Sequence, residues 1–186
     1  PKDPNDKLKI KDSRTVAGVI VDTSTYFVKE DENYQSIDWL VGELNINTQN
    51  TWRKFLNILE EKYPGYTLSI NATYRSYQRS IELEKQNPKN STPGYSPHNY
   101  AFAIDMNVTD PNGDEYSKEN RTSWVESGIP GVAKSLGMRW GGDFKNYVDC
   151  VHFDVTRVTD AAIINARKDN EGLPQSEWDT KNTNYV

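Results

Sequence analysis

The sequence predicts an α+β domain, because stretches with helical spacing of apolar residues occur between stretches that alternate apolar and polar residues. In residues 47–63 the apolar side chains follow helical spacing, and Pro64-Gly65 ends this helix. Residues 66–74 alternate instead, which predicts a strand. With 186 residues, 35% of them apolar, the chain is long enough to form a core.

The other segments continue this mixture of helices and strands. Residues 1–14 are charged and predict a flexible lead-in, while the Asn-Gly pair in 110–114 predicts a turn. Strands are also expected at 15–28, 101–108 and 150–156, and helices at 77–86, at 123–136 with a break near Gly128, and at 160–168. We therefore expect a partly flexible N-terminal extension with strands over 1–44, a main domain over 45–168 and a polar tail over 169–186.

The composition argues against several classes of protein. The net charge of −5 gives no sign of the basic face that nucleic acid requires. No apolar run approaches the roughly 20 residues that span a membrane, and the polar N-terminus lacks a signal-peptide core. Because Cys150 is the single cysteine, no disulfide can form within the chain.

The two histidines of the chain, His98 and His152, predict a metal site together with Asp105. Asp105 follows His98 by seven residues, across a turn that contains proline and lets the histidine fold back. Two imidazoles and one carboxylate form a standard open shell for catalytic zinc, with water as the fourth ligand. The ligand hypothesis is therefore one zinc ion held by His98, Asp105 and His152.

Strand alternation places two of these ligands on matching faces. In 101–108 the large apolar residues occupy one face, and Asp105 lies on the other with small or polar neighbours. In 150–156 the apolar residues again share one face, and His152 lies on the opposite one. If both strands bury their apolar faces side by side, Asp105 and His152 become neighbours.

Three residues near the second histidine have two interpretations each. Cys150 is either a soft fourth ligand or a small buried hydrophobe, and the latter is favoured. Asp143 and Asp154 either orient the ligating imidazoles through hydrogen bonds or are simply solvated.

The segment Ser96-Pro-His98-Asn-Tyr-Ala101-Phe-Ala103-Ile-Asp105 resembles the zinc signature Ser-X-His-X-X-Gly-X-Ala-X-Asp of a known peptidase family. This is the D-alanyl-D-alanine carboxypeptidase and L-alanyl-D-glutamate peptidase family, which is related to lysostaphin-type peptidases and the hedgehog signalling domain. Ala101 stands where the family has glycine, a small-for-small change that slightly narrows the site or its turn.

Two further segments carry the same resemblance. Asp149-Cys-Val-His152 is similar to the closing motif of the family, and the preceding Trp140-Gly-Gly-Asp143 resembles the L-alanyl-D-glutamate peptidases of phage endolysins. Tyr74-Arg75-Ser76 resembles the Tyr-Arg-Ser motif of the family, with Gln78 as a less certain member. The likeness covers about residues 45–158.

The resemblance implies a fold and a role for each matching residue. The fold would be a small central antiparallel sheet with flanking helices and a zinc site. Asp149 would be the general base, and Arg75 would bind a substrate carboxylate or carbonyl near the metal. Ser96 would position His98 or the substrate, and Gln78 would bind substrate.

The resemblance implies a zinc peptidase that acts on the stem peptides of bacterial peptidoglycan, at the cell wall. The L-Ala–D-Glu bond is the first choice of scissile bond, and a D-alanyl-D-alanine carboxypeptidase or dipeptidase is the alternative. A non-catalytic zinc-containing binding module of the same fold is a third interpretation, against which the presence of Asp149 argues. The chain would act as a monomer or as one domain of a larger, phage-encoded protein.

Overall fold

In a computed structural model, the chain is described over residues 7–14 and 34–156. The strands are β1 Lys9–Asp12, β2 Tyr34–Gln35, β3 Thr67–Ala72, β4 Ala103–Thr109, β5 Glu115–Tyr116, β6 Arg139–Trp140 and β7 His152–Asp154. The helices are α1 Ile37–Gly42, α2 Gln49–Lys62, α3 Tyr77–Gln86, α4 Arg121–Ser127 and α5 Ile129–Ser135. The strands predicted at 15–28, the helix at 160–168 and the tail at 169–186 lie outside the described residues.

The strands form one sheet in the order β2-β1-β3-β4-β7-β6, with β5 paired to β4. The α+β prediction is thus confirmed. The expectation of an antiparallel sheet holds for every pair except β1 and β3, which run parallel. A parallel pair needs a long crossover connection, and here that connection contains β2, α1 and α2.

The helix predicted from apolar spacing is α2, and its four inward positions explain why it forms. The side chains of Trp52, Phe55, Leu56 and Leu59 are fully buried on one face, whereas Ile58 lies at its edge. The helix ends at Lys62, and its C-cap residue, Tyr63, directly precedes the proline and glycine. The predicted helix at 77–86 is α3, and the one at 123–136 is divided into α4 and α5 at Gly128, whose φ is 78°.

The N-terminal lead-in contains a strand, so the prediction of flexibility is wrong for residues 9–12. Within Leu8-Lys9-Ile10-Lys11, apolar and charged residues alternate, and only Ile10 is buried. Ile10 aligns with Leu68 of β3, and α1 adds Leu40 and Val41 to the same core. The boundary expected at residue 44 stays a prediction.

We expect Ile10→Ala to lower the free energy of unfolding by about 2–5 kcal/mol, because it leaves a cavity beside β3. Lys11→Ala, at the neighbouring exposed position of β1, is the matched control and should change stability by less than about 0.5 kcal/mol. Urea denaturation measures both variants. Equal, small effects would contradict the placement of β1 in the core.

Candidate functional site

The candidate site lies where β4 pairs with β7. Asp105 is directly opposite His152 in this antiparallel ladder. The next residues on the other face, Ile104 and Phe153, are also paired and are buried in the core. The prediction that two neighbouring strands would present Asp105 and His152 side by side is therefore confirmed.

His98 reaches these two residues from a 3-10 turn at Pro97–Tyr100. The hydroxyl of Ser96 caps the turn by accepting a hydrogen bond from the backbone N–H of His98 at 3.3 Å. Ala101 then adopts the left-handed conformation, with φ of 54° and ψ of 35°, and turns the chain into β4. The glycine of the family signature is explained by this position, because glycine adopts positive φ without steric cost.

Three ligand atoms converge at the centre of the site. Asp105 Oδ1 lies 3.1 Å from His98 Nε2 and 2.9 Å from His152 Nδ1. The two ring nitrogens are 3.3 Å apart. Atoms that bind one tetrahedral zinc ion at 2.0–2.1 Å are separated by about 3.3 Å, so the observed spacing fits such an ion after small shifts.

The far nitrogen of each imidazole meets an acceptor that fixes its tautomer. His98 Nδ1 donates to the carbonyl oxygen of Thr73 at 2.6 Å, and His152 Nε2 donates to Asp154 Oδ2 at 2.9 Å. Because both acceptors lack a proton to give, these hydrogen bonds would keep a proton on each far nitrogen when a metal ion is bound, and would leave His98 Nε2 and His152 Nδ1 free to bind the ion. This is the arrangement that orients histidine ligands in metal sites.

Asp154 itself is held from the other side. Its carboxylate has no exposed surface and accepts hydrogen bonds from Arg139 Nε and Nη2, both at 2.9 Å. Burial opposes the ionisation of Asp154, but His152 and Arg139 outweigh it and lower the pKa. Asp154 therefore presents a fixed negative charge behind the ligating histidine.

The electrostatics of the centre favour a cation. Burial opposes the ionisation of Asp105, but the two imidazoles hold its pKa well below the usual range. Burial likewise opposes the charged form of His152, but Asp105 and Asp154 raise its pKa to about 9. The same two carboxylates would stabilise a divalent ion between the imidazoles, so the group His98, Asp105 and His152 could hold a metal.

Asp149 lies in the turn that leads into β7, and its side chain lines the same cavity as the three ligands. The backbone N–H of Asp149 donates to Gly141 at 2.9 Å, and its carbonyl accepts from the N–H of His152 at 3.1 Å. Burial, with the nearby Asp105 carboxylate, raises the pKa of Asp149. This is the direction that suits a carboxylate for accepting a proton.

The two glycines after Trp140 allow the chain segments around Asp149 to approach closely. A Cβ on Gly141 would collide with the carbonyl of Asp149 and lie 2.9 Å from the Cβ of His152. A Cβ on Gly142 would overlap the indole ring of Trp140. Gly141 is therefore required for packing against the 149–152 turn, and Gly142 for packing against the indole of Trp140.

Arg75 and Ser96 line the cavity, whereas Gln78 does not. The guanidinium of Arg75 lies 3.8 Å from Asp105 Oδ2, and its backbone N–H donates to the carbonyl of His98 at 2.9 Å. Burial lowers the pKa of Arg75. Gln78 lies at an exposed position of α3, and its role in substrate binding stays a prediction.

The structure decides between the two interpretations that the sequence left open for each of Asp154, Asp143 and Cys150. Asp154 contacts the imidazole, but Asp143 is exposed and pairs with Arg121 and Lys134 at 3.2 and 2.9 Å. Cys150 is fully buried in the core cluster, where burial raises the pKa of its thiol. The interpretation of Cys150 as a buried hydrophobe is confirmed.

Asn99 supports the site, although no sequence pattern marked it. It is fully buried, and its amide nitrogen donates to the carbonyl of Arg75 and the hydroxyl of Ser80, both at 2.9 Å. Its amide oxygen accepts from the N–H of Gly94 at 3.1 Å. Asn99 therefore ties α3 and the cavity loop to the turn that carries His98. Its position directly after His98 in the signature was the only available signal.

The residues at this edge of the sheet form a candidate metal site, and comparison with known proteins finds similarity to peptidases. Residues 89–155 match the profile of the family described as D-alanyl-D-alanine carboxypeptidase. The chain is 30% identical over 105 residues to the peptidoglycan L-alanyl-D-glutamate endopeptidase CwlK of Bacillus subtilis. That alignment covers 49% of this chain and 62% of the relative, which is less than two thirds of its length. The family resemblance predicted from the motifs is confirmed.

Two solved structures are similar at 18% sequence identity. The L-Ala D-Glu endopeptidase ChiX of Serratia marcescens has a TM-score of 0.46, with 63% of this chain and 84% of that chain covered. The LD-carboxypeptidase LdcB has a TM-score of 0.42, with 83% and 72% covered.

We expect Ala101→Gly to raise the free energy of unfolding by up to about 1 kcal/mol. The change removes the left-handed strain of about 1–2 kcal/mol, offset by about 0.4–1 kcal/mol from the more flexible unfolded chain. Urea denaturation measures the effect. Ala103→Gly, a buried β4 position with ordinary strand geometry, is the control and should destabilise. A loss of stability in Ala101→Gly would contradict the strain argument.

Proposed function

We propose that this protein is a zinc-dependent peptidoglycan peptidase that hydrolyses an amide bond of the stem peptide, with L-Ala–D-Glu as the preferred bond. The observation that carries the proposal is the convergence of His98, Asp105 and His152 in a cavity that Asp149 also lines. The family match and the named activity of the Bacillus subtilis relative support it.

The three converging residues would hold the ion. When bound there, zinc supplies a Lewis acid that lowers the pKa of water toward about 7 and polarises a carbonyl. Two nitrogens and one carboxylate oxygen are the ligand types of catalytic zinc sites. With the ion bound, Thr73 and Asp154 would accept hydrogen bonds from the far nitrogens and so hold both imidazoles in the ligating tautomer.

Asp149 is the proposed general base. It takes a proton from the attacking water and passes it to the leaving amine as the carbon–nitrogen bond breaks. Arg75, 3.8 Å from Asp105, would bind the substrate carbonyl or a carboxylate on the metal side of the cavity. Ser96 positions His98 through its backbone hydrogen bond.

A D-alanyl-D-alanine carboxypeptidase is the second candidate, because the matching family carries that description. The Trp140-Gly-Gly-Asp143 motif and the endopeptidase activity of the Bacillus subtilis relative favour the L-Ala–D-Glu bond instead.

The site of action would be the cell wall, with stem peptides as partners, and the chain would work as a monomer or as part of a larger phage protein. Among the described residues, no helix is long and apolar enough to cross a membrane.

We expect the zinc-loaded protein to release fragments with a new D-Glu amino end from purified peptidoglycan. Mass spectrometry of the digest identifies that end. Chelation should abolish the release and added zinc should restore it, because the bound ion would supply the Lewis acid that polarises the scissile carbonyl and activates the water. Release of free D-Ala without new D-Glu ends would favour the carboxypeptidase, and full activity after chelation would refute the metal-dependent mechanism.

We expect Asp149→Asn to bind zinc normally but to lose activity by at least about 100-fold, because the amide cannot accept the proton. Metal content and turnover are measured on the same sample. Asp143→Asn is the control, since Asp143 is exposed and pairs with Arg121 and Lys134. Undiminished activity of Asp149→Asn would exclude Asp149 as the base. If Asp149→Asn and Asp143→Asn both lack peptidase activity yet bind stem peptides equally well, the interpretation as a non-catalytic binding module is favoured.

A further inference from the structure

The cavity is basic although the protein as a whole is acidic. Five basic residues line it, against the two carboxylates of Asp105 and Asp149, while the whole chain carries a net charge of −5. The basic residues are Arg75, Lys89, Lys118, Arg139 and Lys145. A bound divalent ion would add further positive charge. A cavity of about 680 Å³ with this charge favours an anionic ligand.

Lys118 is the basic residue held beside the proposed base. Its ammonium group lies 3.8 Å from Asp149 Oδ1 and 4.3 Å from the centre of the Tyr147 ring, and it donates a hydrogen bond to the Tyr147 hydroxyl. The other basic residues are placed differently: Arg139 binds Asp154, Arg75 lies next to Asp105, and Lys89 and Lys145 are exposed.

The backbone around Lys118 is fixed on both sides. Asn120 Oδ1 accepts hydrogen bonds from the N–H and the hydroxyl of Ser117, and the indole N–H of Trp124 donates to the carbonyl of Ser117 at 2.8 Å. An ammonium group has three N–H donors. Within the described residues, one donates to Tyr147, so that others can bind a ligand in the cavity.

The proposed mechanism determines which part of the substrate lies near Lys118. Asp149 delivers its proton to the leaving nitrogen, so the residue that leaves must lie beside Asp149 and hence beside Lys118. In an L-Ala–D-Glu peptide that residue is D-glutamate, which continues the stem through its side-chain carboxyl. Its free α-carboxylate is attached to the carbon next to the leaving nitrogen.

We propose that Lys118, held by Tyr147, binds the α-carboxylate of the residue on the leaving side of the scissile bond and makes the site selective for that carboxylate. The inference rests on the proposed function and specifies its substrate class: stem peptides with a free α-carboxylate on D-glutamate, in preference to stems in which this group is amidated. An amide lacks the charge that the ammonium recognises.

Two synthetic stem peptides test the proposal, one with D-glutamate and one with its α-amide, D-isoglutamine, and each is assayed for cleavage by the zinc-loaded protein. The wild type should cleave the carboxylate peptide with a kcat/KM about 10- to 100-fold higher, the range of a hydrogen bond to a charged group. Lys118→Met should remove most of this preference, so that kcat/KM falls by a much larger factor for the carboxylate peptide than for the amide peptide. Tyr147→Phe, which removes the hydroxyl partner, should reduce the preference partly.

Lys145→Met is the matched control, because it removes one positive charge from the same cavity at an exposed position. It should affect both peptides by the same factor. Competitive inhibition by the leaving-side product provides a second readout: the carboxylate fragment should inhibit more strongly than its amide, and only in proteins that retain Lys118.

The outcomes distinguish a failure of the carboxylate site from a failure of the proposed endopeptidase function. If the wild type cleaves both peptides equally, or Lys118→Met slows both by one factor, Lys118 acts only through Asp149 and the carboxylate site is refuted. If the wild type cleaves neither peptide, the proposed endopeptidase function fails, and the inference fails with it.

Discussion

The antiparallel pairing of β4 with β7 is the constraint on which the site depends. It places Asp105 opposite His152 on one face and Ile104 opposite Phe153 on the other. Because side chains alternate across a strand, a slip of β7 by one residue would move His152 into the core and Phe153 into the cavity, while Asp105 of β4 stayed on the cavity face. Burial of Ile104 and Phe153 therefore enforces the register that brings the ligands together.

The buried polar groups of the site are stable only as a connected set. Asp154 would be costly to bury alone, but Arg139 and His152 satisfy its oxygens. Thr73 connects the site to the N-terminal region: its carbonyl accepts from His98, and its hydroxyl bonds to Glu43, which also pairs with Arg14. The N-terminal residues are thus part of the structure behind the ligands.

The alternation of apolar and polar residues along the sequence predicted the parts of the site that lie on neighbouring strands. The faces of 101–108 and 150–156 predicted the proximity of Asp105 and His152, and apolar spacing predicted α2. The Thr73 carbonyl could not be predicted this way, because a backbone acceptor leaves no mark in residue type. The strand at 9–12 was missed because its single buried residue, Ile10, lies among charged neighbours.

At Ala101, Gly141 and Gly142 the backbone, rather than side-chain chemistry, determines which residue fits. Ala101 matches the family glycine in size but not in freedom, since its φ of 54° is costly for any residue with a Cβ. Gly141 and Gly142 are required for the opposite reason, because a Cβ would collide with the 149–152 turn or with Trp140. Some positions of the family motifs are therefore determined by backbone geometry rather than by the chemistry of their side chains. The turn at Ala101 aims His98, and the contact at Gly141 sets the position of Asp149 relative to His152.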